Sequence, residues 1–129
     1  MSKRIALVTG GVGGIGRAIC IELAKMDYTV FATHLELEQE SATEWLRSVP
    51  EYQNLIHLVK CDVVNIEECE AVVSEIEQKS GGVDVLVNCA GITRDGVLKK
   101  MTPDQWSSVI NTNLNSVFNT TRFVINGML

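Results

Sequence analysis

Proline is nearly missing from this 129-residue chain, with two in all, Pro50 and Pro103, and no Ser/Gly/Pro-rich stretch divides one half from the other. A flexible or polyproline linker therefore has no material, and the length suits a single domain, residues 1–129. Basic clusters are missing too. No Lys/Arg run exceeds Lys99-Lys100, and 11 basic residues against 16 acidic ones leave a net charge of −5. A nucleic-acid or membrane-surface footprint is excluded on that balance.

Cys20, Cys61, Cys69 and Cys89 form neither a CxxC pair nor a set with metal-ligand spacing. A disulfide framework and a zinc site are both unsupported, and the four thiols read as small hydrophobes in a reduced, cytoplasmic setting. His34 and His57 stand without clustered carboxylates, so no metal is expected. Long hydrophobic runs are also missing. Met1-Ser-Lys-Arg4 leads into a short apolar run, too brief for a signal-peptide core or a bilayer span.

What is present is 46% apolar residues, the composition of a globular chain. Ile5-Ala-Leu-Val-Thr9 ends in glycines, and from Ile15 apolar residues recur at Ala18, Ile19, Leu23 and Met26 with helical spacing, predicting strand, loop and helix. Tyr28 to Thr33 predicts a second strand. A helix from Ser41 to Val49 follows, opened by Ser41 and Glu44 at capping-box spacing. Leu55 to Val59 is the third strand, then a helix capped by Asn65 and Glu68, with Cys69, Val72, Val73 and Ile76 inward and Gly81-Gly82 at its end.

Val83 to Val87 is the fourth strand. Thr102-Pro-Asp-Gln105 opens the last helix with cap, N1 proline and capping-box partner together. Its inward stripe is expected to be Trp106, Val109, Ile110, Leu114, Val117, Phe118 and Thr121, with Asn113 as a polar member needing partners. Apolar strands alternating with amphipathic helices require cover on both sheet faces. The expected fold is α/β: a Rossmann-type, doubly wound parallel sheet with helices on both faces.

Thr9-Gly-Gly-Val-Gly-Gly-Ile-Gly16 lies between the first strand and the first helix, where backbone N–H groups and the helix dipole converge. This makes Gly10, Gly13, Gly14, Ile15 and Gly16 candidates for holding the diphosphate of a dinucleotide. A nucleotide-hydrolysing P-loop is set aside, because Arg17 and Ala18 stand where Lys and Ser/Thr would be required. Glu36 stands about 20 residues past Gly16, the spacing at which an acid bonds a ribose hydroxyl and repels a 2′-phosphate. Asp95, in the segment leaving the fourth strand, either borders substrate or sits in a solvated turn.

Thr9-Gly10-x-x-x-Gly14-x-Gly16 together with Asn88-Cys-Ala-Gly91 resembles the two signature motifs of the short-chain dehydrogenase/reductase family. Within it, Gly91-Ile-Thr-Arg-Asp95, Lys100-Met-Thr and Asn113-Leu-Asn-Ser-Val-Phe-Asn119 look like acetoacetyl-CoA reductases and 3-oxoacyl-acyl-carrier-protein reductases. The resemblance covers the whole chain. It implies NAD(P)H-dependent reduction of a 3-oxoacyl thioester, with Asp62 and its neighbour Val63 at the adenine, and Asn88, Ala90 and Gly91 supporting the nicotinamide side. It also implies that Asn113 is the helix asparagine of the proton relay.

The family's catalytic Ser and Tyr-x-x-x-Lys pair have no counterpart in these residues; the resemblance places them beyond Leu129. Tyr28 and Tyr52 lack a Lys four positions on. NAD and NADP both remain open, since Glu36 favours NAD while the reductases resembled mostly use NADPH. The implied partners are a small acyl thioester and a second copy of the chain, met through the last helix. Two other readings stand beside this one: a nucleotide-binding or subunit-association module without catalysis, and a methyltransferase of similar design, which Asn88-Cys-Ala-Gly91 fits less well. The fourth strand, lacking a neighbour, is expected to present an open edge.

Overall fold

A computed structural model describes residues 3–129. Four strands, β1 (Ile5–Thr9), β2 (Thr29–His34), β3 (Ile56–Lys60) and β4 (Val85–Asn88), form one parallel sheet in the order β3-β2-β1-β4. Three of the strands begin one or two residues later than their apolar runs predicted, and all four keep to the expected segments. The helices are α1 (Gly14–Lys25), α2 (Gln39–Arg47), α3 (Ile66–Ser80), α4 (Pro103–Ile110) and α5 (Ser116–Met128). A π-helical turn, Asn111–Asn115, joins α4 to α5.

Side chains on a strand alternate between faces, so β1 serves two cores. Ile5 and Leu7 pack with Cys69, Val72, Val73 and Ile76 of α3 and Val124 of α5. Ala6 and Val8 pack with Cys20, Leu23 and Ala24 of α1 and with Val30, Ala32 and Ile56. Leu7 is only 1% exposed, as the central strand of a doubly covered sheet should be. β4 is an edge strand in this sheet and its residues are half-buried or exposed.

Local chemistry explains most helix ends. Asn65 Oδ1 accepts from Glu67 N–H at 3.0 Å and Glu68 N–H at 3.1 Å, capping α3. The expected return bond from Glu68 goes elsewhere: its carboxylate takes the Asp62 N–H at 3.2 Å. Gly81 closes α3 at φ +88°, in the left-handed region. Thr102 and Gln105 exchange both bonds of a capping box around α4, at 2.8 and 3.1 Å.

Two expectations fail. Ser41 does not open α2; a 3₁₀ turn, Glu36–Glu38, feeds directly into Gln39, and Ser41 donates its hydroxyl to Glu38 C=O from inside the helix. The local N–H is taken instead by Glu38, whose carboxylate accepts from Leu35 N–H at 2.8 Å. The apolar stripe of the last helix also faces inward only in part, with Val109, Ile110 and Thr121 half-buried. Trp106 is 58% exposed, Leu114 62% and Phe118 59%, whereas Ser116, Asn119, Thr120 and Val124 are buried. The π turn adds a residue to one turn, so a 3.6-residue period loses phase beyond Ile110, which accounts for Leu114 and Phe118; Trp106 is exposed ahead of it.

Cys20 sits beneath the glycine loop, its thiol directed at Gly11 C=O at 3.6 Å. Burial, reinforced by the neighbouring Cys89, pushes this thiol up from 9.0 to about 12. A pKa raised in the folded state means stability intact below the unfolded value and lost as pH climbs toward the folded one. The melting temperature is therefore expected to fall between about pH 9 and pH 12. The Cys20→Ala variant, melted across the same series, should show a smaller fall; an equal fall would contradict this assignment.

Candidate dinucleotide site

The C-terminal ends of the four parallel strands converge on a cleft of about 630 Å³, a size suited to a small ligand or cofactor. The glycine loop forms its floor with Gly10, Gly13, Gly14, Ile15 and Gly16. Thr33, His34, Leu35 and Glu38 come from the end of β2; Cys61, Asp62, Val63 and Val64 follow β3; Cys89, Ala90, Gly91, Ile92 and Arg94 follow β4; Thr112 comes from the π turn. In an open α/β sheet this crevice beyond the strand ends is where ligands bind.

The loop is shaped by close backbone approach. Gly10 adopts φ +60°, and a Cβ on it would lie 2.7 Å from Ala90 Cα. At Gly16, a Cβ would overlap Gly10 C=O and come within 2.8 Å of Gly11 Cα, so α1 could not start where it does. Helix α1 has Gly13 as N-cap, no side-chain cap and no acidic residue in its first turn. Its first N–H groups are left for an outside acceptor, and the dipole favours an anion there. A diphosphate fits this cradle in both shape and charge.

Two buried hydroxyls hold the loops, and the sequence reading gave neither a role. Thr9, 2% exposed, accepts at Oγ1 from Cys89 N–H (3.1 Å) and Ala90 N–H (3.2 Å), tying the segment after β4 to the end of β1. Thr33 Oγ1 accepts from Gly10 N–H at 3.0 Å, and Thr33 C=O from Gly11 N–H at 3.1 Å, tying the glycine loop to β2. A Thr directly before a glycine loop was the available signal for the first; nothing local marked the second.

The inner face of the last helical segment clasps two more loops. Asn113 Oδ1 accepts from Ile92 N–H at 2.8 Å while its Nδ2 donates to Ile92 C=O at 2.9 Å. Asn113 has the partners an amide needs, but as an exposed residue on a π turn rather than as part of a buried stripe. Thr120 Oγ1 donates to Asn88 Oδ1 at 2.6 Å. Asn119, 8% exposed, donates from Nδ2 to Val63 C=O at 2.9 Å and Val64 C=O at 3.4 Å. Alanine at Asn113 leaves both Ile92 groups without these partners, and a cost of about 1–2 kcal/mol is expected in urea unfolding. An unchanged midpoint would mean the clasp is idle.

Of the residues singled out from sequence, nine line the cleft: Gly10, Gly13, Gly14, Ile15, Gly16, Asp62, Val63, Ala90 and Gly91. Asn113 stands directly behind the wall through Ile92, and Asn88 points its amide at Thr120 rather than into the cleft. Glu36 is not brought in. Its carboxylate, 78% exposed, lies 3.8 Å from Lys60, because the 3₁₀ turn carries it outward and turns Glu38 toward the cleft instead. Asp95 is exposed and outside the lining, while Arg94 beside it is part of the wall.

Cys61 and Cys69 are buried against each other beneath the Asp62 loop. The interaction between the two sulfurs, with burial, pushes the Cys61 thiol far up, and the same interaction holds Cys69 below its ordinary value. All four cysteines are free. Among the described residues, no group of three or more His, Cys, Asp or Glu is arranged to hold a metal. No helix among them is long and apolar enough to cross a membrane.

A parallel sheet covered on both faces, with a glycine-floored cleft at its strand ends, defines the class: a Rossmann-type α/β fold. The family model for short chain dehydrogenase matches residues 4–129, and the chain belongs to that family. It is 49% identical over 126 residues to an acetoacetyl-CoA reductase of Allochromatium vinosum, a match covering 98% of this chain and 51% of that protein. A 3-oxoacyl-acyl-carrier-protein reductase of Vibrio harveyi is 38% identical over 131 residues, covering 100% of this chain and 51% of that one. The chain thus spans about half the length of these curated relatives. A solved short-chain dehydrogenase from Novosphingobium aromaticivorans superposes with a TM-score of 0.89 at 25% identity, over 98% of this chain and 46% of that one.

Proposed function

We propose that these residues bind a nicotinamide dinucleotide and supply the cofactor half of a 3-oxoacyl thioester reductase, of acetoacetyl-CoA-like substrate class. The observation that carries the reading is the uncapped α1 N-terminus over a loop whose backbone contacts exclude a Cβ at Gly10 and Gly16. The first-turn amides of α1 would hold the diphosphate, and Asp62 would accept a hydrogen bond from the adenine amine. The segment Asn88 to Gly91, fixed by Thr9 and Thr120, would support the nicotinamide.

When bound, the cofactor supplies a hydride to the substrate ketone. The residues here bind and orient it, and Asn113 holds the wall on which the nicotinamide would rest. In the family resembled the proton donor of such a reduction is a Tyr helped by Lys and Ser; neither Tyr28 nor Tyr52 is followed by Lys four positions on, so this segment by itself would bind without reducing. Glu38, in the cleft at the end of β2, is the acid that would face a 2′-phosphate, which favours NADH over NADPH. The apolar ridge of Leu114, Val117, Phe118 and Ile125 is exposed and suits a second copy of the chain.

Isothermal titration with NADH and NADPH tests the binding, and nicotinamide absorbance in the presence of acetoacetyl-CoA tests the chemistry. Saturable binding, tighter for NADH and without turnover, is expected. No binding of either dinucleotide would overturn the proposal.

A further inference from the structure

Asp62 is an exposed side chain on a loop, and a loop carboxylate selects a base only if something fixes its direction. One of its oxygens, Oδ1, accepts from Val64 N–H at 3.1 Å. That N–H belongs to the same peptide unit as Val63 C=O. The Val63 carbonyl is held from the far side by Asn119 Nδ2 at 2.9 Å and, more weakly, by the Cys69 thiol at 3.7 Å. Asn119 is 8% exposed and reaches this loop from α5, 55 to 56 residues away in sequence.

A donor on the carbonyl of a peptide polarises its N–H, and the planar unit transmits orientation from one end to the other. The Asp62 N–H is braced separately by Glu68 at 3.2 Å, which fixes the backbone but not the carboxylate. Rotation of the 63–64 peptide would swing the N–H off Oδ1 and free the side chain to turn. The amide of Asn119 blocks that rotation.

We infer that Asn119 is a positioning residue for purine recognition: through the Val63–Val64 peptide it aims the Asp62 carboxylate at the 6-amino group of the adenine. The inference rests on the dinucleotide reading above. It predicts a defect in base selection as well as in affinity, which a purely structural amide would not produce.

The test compares calorimetric affinities of the chain for NADH and for its hypoxanthine counterpart, in which a carbonyl oxygen replaces the 6-amino group. The chain should prefer adenine roughly tenfold, the scale of one hydrogen bond to a charged group. Asp62→Ala should remove the preference. Asn119→Ala should reduce it to about twofold or less, with no further loss in the Asp62→Ala/Asn119→Ala pair. Asn119→Ser, which keeps a donor on a shorter stem and a smaller perturbation of the core, should fall between and serves if the alanine variant does not melt cooperatively.

If Asp62→Ala abolishes the preference while the Asn119 variants leave the adenine-to-hypoxanthine ratio unchanged, weakening both ligands equally, Asn119 is structural only and the inference is wrong. If Asp62→Ala itself leaves the ratio unchanged, the adenine role of Asp62 fails and this inference with it. Failure to bind either dinucleotide would instead overturn the proposed function.

Discussion

Alanine at Gly16 should abolish measurable dinucleotide binding and destabilise the fold by about 3 kcal/mol, the upper range for forcing a methyl into filled space. The added Cβ would overlap Gly10 C=O and press on Gly11 Cα at 2.8 Å, and both are backbone, so no side chain can swing aside. Relief requires α1 to move away from the loop, which separates the first-turn amides from the place where a diphosphate would sit. Gly14 provides the contrast on the same helix turn: its Cβ would meet nothing within 4 Å. Alanine there should cost no stability and gain about 0.5–1 kcal/mol from reduced unfolded-chain entropy. Urea unfolding of the two variants reads the difference, and equal effects would mean that close packing does not shape this loop.

Valine at Thr9 is the second large effect. The replacement is nearly isosteric, so the core loses little, but Cys89 N–H and Ala90 N–H lose their shared acceptor 3.1 and 3.2 Å away. Ala90 N–H is left without an acceptor while Cys89 N–H keeps Val87 C=O at 3.1 Å, so the expected loss is that of one unpaired donor, about 1–3 kcal/mol. Hydrogen exchange at residue 90, and more weakly at residue 89, should accelerate more than at β1 itself. Dinucleotide affinity should fall as the segment after β4 loses its anchor. If exchange at those two amides stays slow, the hydroxyl is not what holds them.

Rules that act within a few residues were readable before the structure. Thr102-Pro-Asp-Gln105 forms its capping box, Asn65 caps α3, Gly81 ends it with positive φ, and apolar runs became the four parallel strands. The glycine loop was legible for a similar reason, because strand, glycines and helix are consecutive in sequence. What the sequence hid depends on distance. Thr9 and Asn119 act on backbone groups 80 and 56 residues away, and no local pattern marks a hydroxyl or amide that serves a remote loop.

The last helix misled for a different reason. Its most apolar face points outward while Ser116, Asn119 and Thr120 are buried: Asn119 and Thr120 have acceptors on Val63 and Asn88, and Ser116 returns its hydroxyl to Thr112 C=O one turn back. A hydropathy period assigns burial by oiliness and cannot weigh a satisfied amide against an unsatisfied one. Glu36 and Glu38 differ by two residues, and only the 3₁₀ turn between β2 and α2 decides which of them reaches the cleft. Spacing from Gly16 pointed to the first; the turn selects the second.

The central claim is that the first-turn amides of α1 hold a diphosphate, and amide NMR during titration with ADP-ribose reads those groups individually. Saturable shifts at Gly14, Ile15 and Gly16, lost in the Gly16→Ala variant, are what the structure requires. Saturable binding that leaves these three amides unmoved, or no binding at all, would contradict it.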